Sequence, residues 1–326
     1  LFMIHRFTSR FILLCSLILV SVHAEQDAPT PAATYTAPKE SVAKKALPKS
    51  MTLETIHGTV TVTDAVVIEL LHHKAVTRLK GVDQHGPPQQ LFNLPTFSRY
   101  DHSVGVYVLL KKFGAPLVEQ VAGLLHDASH TIFSHLADRF FKTGTEVAYQ
   151  DHIHAWYIEQ MGVDKILEKH GFDVDMIMPD QYRSLKSKKM SVSADRLDYI
   201  LRTAFIFNRL TQEEISNILT DIRLEDGTWF FTNTESAKTF AQQGFHFTKT
   251  LWSSPENLAH HHWMVSAVRQ LIARELITFN TVHFGQDEDA LKHMRDSSDP
   301  HIAEMVEKCR NAKDHFTVVT NTMNYD

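Results

Sequence analysis

The strongest constraint on this chain is an apolar run, Val118 to Leu125, that leads directly into His126-Asp127-Ala128-Ser129-His130 and then Ser134-His135. Such a segment must bury its apolar residues and still deliver a carboxylate and several imidazoles to one place. An adjacent His-Asp offers one ring nitrogen and one carboxylate oxygen to a single ion. His130 stands four residues past His126, so a helix carried through both would stack them on one face. An isolated His-Asp pair is more often the polar end of a helix reaching solvent. This one has partners elsewhere in the chain.

His102 lies in Arg99-Tyr100-Asp101-His102-Ser103, and Asp195 in Ser193-Ala194-Asp195-Arg196-Leu197-Asp198-Tyr199. Two imidazoles and two carboxylates leave open positions on a six-coordinate ion. A water and a phosphate oxygen can fill them, and the ion then lowers the water's pKa and draws charge from phosphorus. The nitrogen content favours Mn, Fe, Co, Ni or Zn over Mg, which prefers oxygen. Arg99 shares a helical face with His102 and can hold a phosphate. Asp195, Asp198 and Tyr199 share another face, flanked by Arg196. Taken alone, that segment reads as a solvated face with Asp198 and Arg202 as a surface ion pair.

A chain of 326 residues with 43% apolar composition can bury a full core. The net charge of -5 advertises no nucleic-acid surface, and 21 histidines are too many for their number to locate a site. Arg6 and Arg10, the apolar stretch Phe11 to Val22 and the Val22-His23-Ala24 end predict a cleaved signal peptide over 1–24. The stretch is short for a bilayer span. An exported protein, periplasmic or secreted, with no membrane span in the mature chain is therefore expected. Cys309 would be the one cysteine left, which excludes an intrachain disulfide. Residues 25–50, rich in Ala, Pro, Thr and Lys, predict a disordered linker, and 51–326 the folded domain.

Within that domain Ile56 to Val62 alternates as a strand or hairpin does. Thr63-Asp64 predicts a capped helix to about His73, with a short helix from Val76 to Leu79. Proline and glycine make Gly81 to Thr96 a loop. Helices are expected at 98–113, from Pro116 onward, and at 151–161, 163–170, 192–207 and 213–219. Asp226-Gly227 between Ile222–Glu225 and Thr228–Phe231 marks a two-residue hairpin. Further helices are expected at 236–251, at 255–279 behind Ser254-Pro255, and from Asp299-Pro300 to Ala312. His72-His73 and Trp229 to Phe231 read as structural. The sum is an all-α bundle with one or two small β-hairpins.

The order His, then His-Asp, then Asp, each on a helix, resembles the HD-domain metal-dependent phosphohydrolases. The resemblance is nearer to the subfamily of the SAM-and-HD-domain deoxynucleoside triphosphate triphosphohydrolase. Ile56-His57-Gly58 matches its opening Ile-His-Gly, and Gln84-His85-Gly86 loosely matches its Gln-Leu-Gly turn. Arg99 to Val106 follows its Arg-Phe-Glu-His-Ser-Leu-Gly-Val block. His126 to His135 follows its His-Asp-x-Gly-His-x-x-Phe-Ser-His block, and Asp195 to Tyr199 its Asp-x-x-Asp-Tyr block. The likeness runs from about Met51 to Val319. It implies an HD-domain helical bundle in which His102, His126, Asp127 and Asp195 bind the metal. His130 would be the acid or phosphate contact beside it. Arg99, His135, Arg196 and Tyr199 would hold the phosphate chain, Gln84 would face the sugar, and one of His260, His261 and His262, taken as His261, would face the pocket. Mg could accompany the substrate phosphates.

This chain also departs from the pattern. Ser129 replaces the family glycine and Ile132 a frequent proline, so the turn after His-Asp is expected to be reshaped. Gln150-Asp151-His152 stands where relatives carry a second His-Glu, which makes His152, or else His154, the second catalytic histidine. Thr203 stands where nucleotide-hydrolysing relatives carry a sugar-binding Asp. The expected activity is hydrolysis of a phosphate ester or anhydride by metal-activated water, with a (deoxy)nucleoside triphosphate as leading substrate. The alternatives are another phosphomonoester or phosphodiester of the exported compartment, or a metal-bound signalling module without turnover. The expected partner is a small phosphorylated substrate, with no stable nucleic-acid partner and room for a homo-oligomer.

Overall fold

The computed structural model describes residues 46–86, 94–141, 147–187, 191–295 and 297–318. The expected signal peptide and most of the expected linker lie outside these residues. Residues 46–50 are exposed and irregular, and regular structure begins at Met51.

Strands β1 (Met51–Thr55) and β2 (Gly58–Val62) pair antiparallel, with Met51 opposite Val62. Helices α1 (Ala65–His72) and α2 (Lys74–Thr77) follow, then a 3-10 turn, Arg78–Gly81. Asp64 occupies the cap position of α1 without capping it, because Lys111 takes its carboxylate at 2.9 Å. His72 and His73 close the α1–α2 joint through backbone contacts to Ile68 and Ala75.

Helix α3 (Arg99–Lys112) is the axis of the molecule. Ser98 and Asp101 form a full capping box at its start, which satisfies two of the backbone N–H groups a helix leaves open. Every residue from His102 to Leu110 is buried, so the apolar stripe expected at Val104, Val108 and Leu109 widens to all faces. Two glycines permit this. A Cβ on Gly105 would lie 1.8 Å from Asp198 Oδ1, and one on Gly123 would lie 2.4 Å from Leu110 Cδ1. The helices either side of α3, namely α4 (Leu117–Leu125) and α9 (Ala194–Ile206), can therefore approach it closely.

Between α4 and α9 lie α5 (Leu136–Phe140), α6 (Tyr149–His152), α7 (His154–Gln160) and α8 (Val163–Lys169). The helix expected at 151–161 is thus two short ones that meet at Ile153. After α9 come α10 (Gln212–Thr220), the hairpin β3 (Ile222–Glu225) and β4 (Thr228–Phe231), and α11 (Thr234–Phe247), which runs into a π-helical turn over Thr248–Trp252. Trp229 is buried and donates to the Ser184 carbonyl, as a core residue does, whereas Phe230 on the other face of β4 is exposed.

Helix α12 (Pro255–Ala273) stops short of the expected Phe279. Glu275 turns left-handed with φ 58°, and the Leu276 amide returns to the Leu271 carbonyl at 2.9 Å, which closes the helix. Thr278 then caps α13 (Phe279–Phe284), followed by α14 (Asp287–Arg295) and α15 (Pro300–Arg310). The sequence patterns did not predict α5, α13 or α14.

Apolar burial forms two cores. The larger joins the first hairpin with α1, α3, α4 and α7 to α11. The smaller joins Ile132, Phe133, α5 and α6 with α12, α14 and α15. The chain crosses from one to the other in residues 126–135. The histidines and the aspartate of the opening motif sit on that crossing.

Candidate metal centre

Helix α4 ends at Leu125, so the shared helical face expected for His126 and His130 does not exist. His126 Nδ1 bonds the Gly123 carbonyl at 2.7 Å, the acceptor that residue 127 would need to continue the helix. Tight turns follow instead, and His130 reaches the same place by another path. Its amide bonds the Asp127 carbonyl at 3.0 Å, and its Nε2 lies 3.2 Å from Asp127 Oδ1.

The turn is held from outside. Phe133 and Ser134 both adopt positive φ, at 56° and 51°. Such geometry in residues with a Cβ costs on the order of 1–3 kcal/mol each and needs support. Asp287 supplies it by accepting the amides of Phe133 (2.7 Å) and Asp83 (2.8 Å). Arg78, buried, donates to Tyr157 Oη, the Gly285 carbonyl and the carbonyls of Ala128 and His130. The reshaping expected at Ser129 and Ile132 takes the form of a Ser129 hydroxyl tied to α6 and α7 and an Ile132 amide on the Val282 carbonyl.

His102, His126 and Asp127 converge across α3 and the end of α4, and Asp195 of α9 reaches the two histidines. His102 Nε2 lies 3.2 Å from His126 Nε2, 3.1 Å from Asp195 Oδ1 and 3.7 Å from Asp127 Oδ2. His126 Nε2 lies 3.4 Å from Asp127 Oδ1 and 3.9 Å from Asp195 Oδ1. Neighbouring ligands about 2.1 Å from one ion stand roughly 3 Å apart, so these spacings suit a single cation. The outer bonds decide the tautomers. Asp198 Oδ2 holds His102 Nδ1 at 2.7 Å, and the Gly123 carbonyl holds His126 Nδ1, so each Nδ1 carries the proton. The two Nε2 lone pairs then face each other and two carboxylates, an arrangement that repels itself unless a positive charge enters. With no ion bound, burial opposes charge on His102, but bonds to Asp195 and Asp198 outweigh it and lift its pKa to about 9, so a proton on Nε2 takes the place that a cation would fill. The site is electrostatically prepared for a cation, and its donor set fits a divalent metal.

Asp198 is the hub behind His102. Its Oδ1 also meets His57 Nε2 at 2.6 Å, and Arg202 grips both oxygens at 2.7 and 3.1 Å. Burial would raise its pKa, yet Arg202 and the two histidines hold it well below the usual carboxylate range. The expected surface pair of Asp198 and Arg202 is therefore a buried one, at 0% and 7% exposure. Asp198→Asn should keep the fold's outline but let His102 lose its fixed tautomer, weakening metal affinity by roughly 10–100-fold. Metal titration by calorimetry checks this, and unchanged affinity would remove Asp198 from the metal's support.

Arg99 meets Asp127 Oδ2 at 2.6 Å, Ser134 Oγ at 2.8 Å, the Gln84 carbonyl at 3.0 Å and His135 Nε2 at 3.1 Å. A guanidinium has about five N–H groups, so roughly one remains for a ligand. Burial would raise the Asp127 pKa, but Arg99 with His126 and His130 holds it well below the carboxylate range. His135 is exposed and pairs with Asp138. Tyr199 lies 6.5 Å, centroid to centroid, from the His102 ring and stacks edge-on against Trp252. Arg196 bonds the Ser191 carbonyl. His261 is buried beside Gly86, where an added Cβ would lie 3.0 Å from its ring, whereas His262 is exposed.

The Gln84 backbone is fixed by Phe97 and Arg99, and its Oε1 is buried without a partner. Next to it His85 is buried, touched by Trp252 at 3.4 Å and Phe97. His152 is exposed on α6, while His154 is buried with Nδ1 on Ser129 Oγ. Of the two histidines named for that position, the structure turns His154 inward. The motifs did not single out Arg78, His85 or Asp287. Asp198 was visible within its motif, but only burial reveals its role.

Five buried histidines, His85, His130, His154, His261 and His283, are held neutral mainly by burial, the first four down to about 3 and the last to about 4. Unfolded, each would take a proton near pH 6.5. The unfolded state therefore binds more protons in that window, and stability should fall as pH drops from about 6.5 toward 4. Urea midpoints at stepped pH test this; a flat profile would contradict it.

No family model matches this chain. Among curated proteins it is 28% identical over 259 residues to the metal-dependent phosphohydrolase cns2 of Cordyceps militaris, covering 78% of this chain and 75% of that protein. It is 22% identical over 212 residues to the deoxynucleoside triphosphate triphosphohydrolase SAMHD1 homolog of Dictyostelium discoideum, covering 56% and 41%. Among solved structures, a phosphohydrolase from Bacteroides thetaiotaomicron superposes with a TM-score of 0.59 at 16% identity, over 81% of this chain and 77% of that one. In sequence and in fold the chain is similar to HD-domain phosphohydrolases. Its His102 comes from α3, its His126-Asp127 from the turn that ends α4 and its Asp195 from α9.

Proposed function

We propose that this protein hydrolyses a phosphate ester or anhydride of a small molecule, with a nucleoside triphosphate as leading substrate class. The observation that carries the reading is the convergence of His102, His126, Asp127 and Asp195 with two ring lone pairs aimed at one point. A divalent transition ion, Mn, Fe, Co, Ni or Zn, would supply water activation and charge stabilisation there. The chain's own groups bind and orient the substrate. Arg99, with Arg196, Tyr199 and His135, would meet phosphate oxygens. The buried, unpartnered Gln84 Oε1 and His261 Nδ1 would accept from the remainder of the substrate. His130 would serve at the reacting phosphate. The names of the two curated relatives support a phosphohydrolase, and that of the Dictyostelium protein supports a nucleotide.

One observation favours a second reading, a phosphomonoester or phosphodiester without a deoxyribose. Thr203 is fully buried and its hydroxyl donates to the Tyr199 carbonyl of its own helix at 2.6 Å, so it offers nothing to a sugar. The predicted export signal points the same way, because deoxynucleoside triphosphates are scarce outside the cytoplasm. N-terminal sequencing of protein made in its own host should begin near Glu25, and an intact N-terminus in the cytosol would refute export.

The deciding experiment assays purified protein with each metal against nucleoside triphosphates, monophosphates and phosphodiesters. Release of inorganic triphosphate from nucleotides supports the first reading, and phosphate release from monoesters alone the second. Metal bound at full stoichiometry with no turnover on any compound would sink both and leave a signalling module.

A further inference from the structure

Hairpin turns usually face solvent, because their backbone groups need water. The turn that joins β1 to β2 does the opposite. Thr55 pairs with Gly58, so Ile56 and His57 form the tip. Both are buried, at 8% and 1% exposure. Three tethers take the place of solvent. Lys112, at the end of α3, donates to the His57 carbonyl at 2.9 Å. Gln212, at the start of α10, donates to the Ile56 carbonyl at 2.7 Å. The His57 amide donates to Thr55 Oγ1 at 3.1 Å. Gly58 leaves the turn with φ 104°, which a residue with a Cβ would resist. The hairpin is thus fastened to two helices with its tip inward, and what the tip delivers is the His57 ring.

His57 Nε2 meets Asp198 Oδ1 at 2.6 Å, and both side chains are fully buried. Asp198 also accepts twice from Arg202 and once from His102 Nδ1, so its roughly four lone-pair sites are all taken. An ionised carboxylate can only accept, which places a hydrogen on His57 Nε2. His57 Nδ1 is then buried without a partner. A buried polar atom left unpaired destabilises a fold. An apolar side chain of similar size would fill the space without that cost, so packing alone does not account for a histidine here. The bond to Asp198 does. Arg202 lies on Asp198's own helix, four residues on, and moves with it. Among the described residues, His57 and His102 are the side chains that hold Asp198 from outside α9. The carboxylate is therefore clamped between the hairpin and a ligand of the metal centre.

We propose that His57 is a positioning residue of the metal centre. It fixes the Asp198 carboxylate, which fixes the His102 ring, so the first hairpin forms the outermost layer of the metal site. Without the His57 bond, Asp198 Oδ1 follows Arg202 alone, and His102 loses part of its alignment. The effect passes only through Asp198. The inference rests on the metal centre of the reading above, but not on its chemistry.

The test measures metal rather than turnover, so it stands whether or not the protein hydrolyses a phosphate. The full chain, stripped and reloaded with Zn or Co, is titrated against a competing chelator, and the visible spectrum of the Co form is recorded. Loss of an outer partner of a metal-bound histidine lowers affinity by roughly 10–100-fold. His57 stands one hydrogen bond further out, so His57→Leu should lower affinity by roughly 3–10-fold and shift the Co absorption bands. His57→Gln, whose Nε2 can stand where the imidazole Nε2 stood, should recover most of the affinity and the parent spectrum. Thr55→Val loosens the same turn without touching Asp198; it should lower the urea midpoint and leave metal affinity unchanged. A double-mutant cycle shows the route. In an Asp198→Asn background, His57→Leu should have no further effect on affinity, because the path it acts through is already cut. Should His57→Leu fail to fold, His57→Asn, polar but too short to reach Asp198, carries the same expectation. Parent-like affinity and spectrum in the folded variant overturn the proposal. So does an equal loss in Thr55→Val, or a full additional loss in the Asp198→Asn background. A parent chain that takes up neither ion would overturn the metal centre and this proposal together.

Discussion

His126→Ala and Asp127→Ala are expected to release the metal and abolish hydrolysis. Each removes a donor from a cluster of three buried groups, and the other two already face the same point. The two variants should differ in stability. His126→Ala leaves a small cavity and the freed Gly123 carbonyl. Asp127→Ala strips the buried Arg99 of its carboxylate, and breaking a buried pair from one side costs on the order of 3–5 kcal/mol. Asp127→Asn keeps the shape and separates loss of the ligand charge from loss of the fold. Elemental analysis and turnover on the same folded sample check the prediction. Full metal occupancy in both alanine variants would sink the assignment of this centre.

His130→Ala should keep the metal and lower turnover by roughly 10²–10⁴-fold, the range of a positioned acid or base. The structure sharpens what His130 does. Its Nε2 faces Asp127, so its Nδ1 is the free position, buried and unpartnered. Burial, then Arg99, hold its pKa down to about 3, so at neutral pH it begins uncharged. It is therefore built to receive a proton before it can give one. Negative charge on an arriving phosphate would push its pKa upward, toward the acid role expected from the sequence. Its backbone is anchored independently, by Arg78 on the carbonyl and Asp127 on the amide, so the alanine variant should hold the turn. Near-parent turnover in folded His130→Ala would leave the ring a packing role against His135.

Much of the fold was legible because its signals are local. The helix expected from Ser98 begins there, Ser254-Pro255 and Asp299-Pro300 start theirs, and Asp226-Gly227 makes its hairpin. These depend on backbone donors within one turn, which neighbouring residues alone can satisfy. The acidic first turn of α14, Asp287 to Asp289, is a comparable local signal. The ends of α4 and α12 were not legible. One is stopped by a side chain bonding a carbonyl, the other by a left-handed Glu275, and no propensity forecasts either.

For the site, the sequence by itself determined the ligand types, their order and their family pattern. Spacing along a helix suggested the wrong route for His130, which arrives through a strained turn rather than along a shared face. Only the tertiary structure decided how each ring is turned. Asp198 at 0% exposure, reached through the space left by Gly105, fixes His102, and Ser129 bonds the inward-turned His154. The reason is physical. Residue types and short spacings set which groups can bind a cation or move a proton. Protonation and tautomer depend on burial and on partners far along the chain, 96 positions away for His102 and Asp198, and these exist only once α3, α4 and α9 have packed.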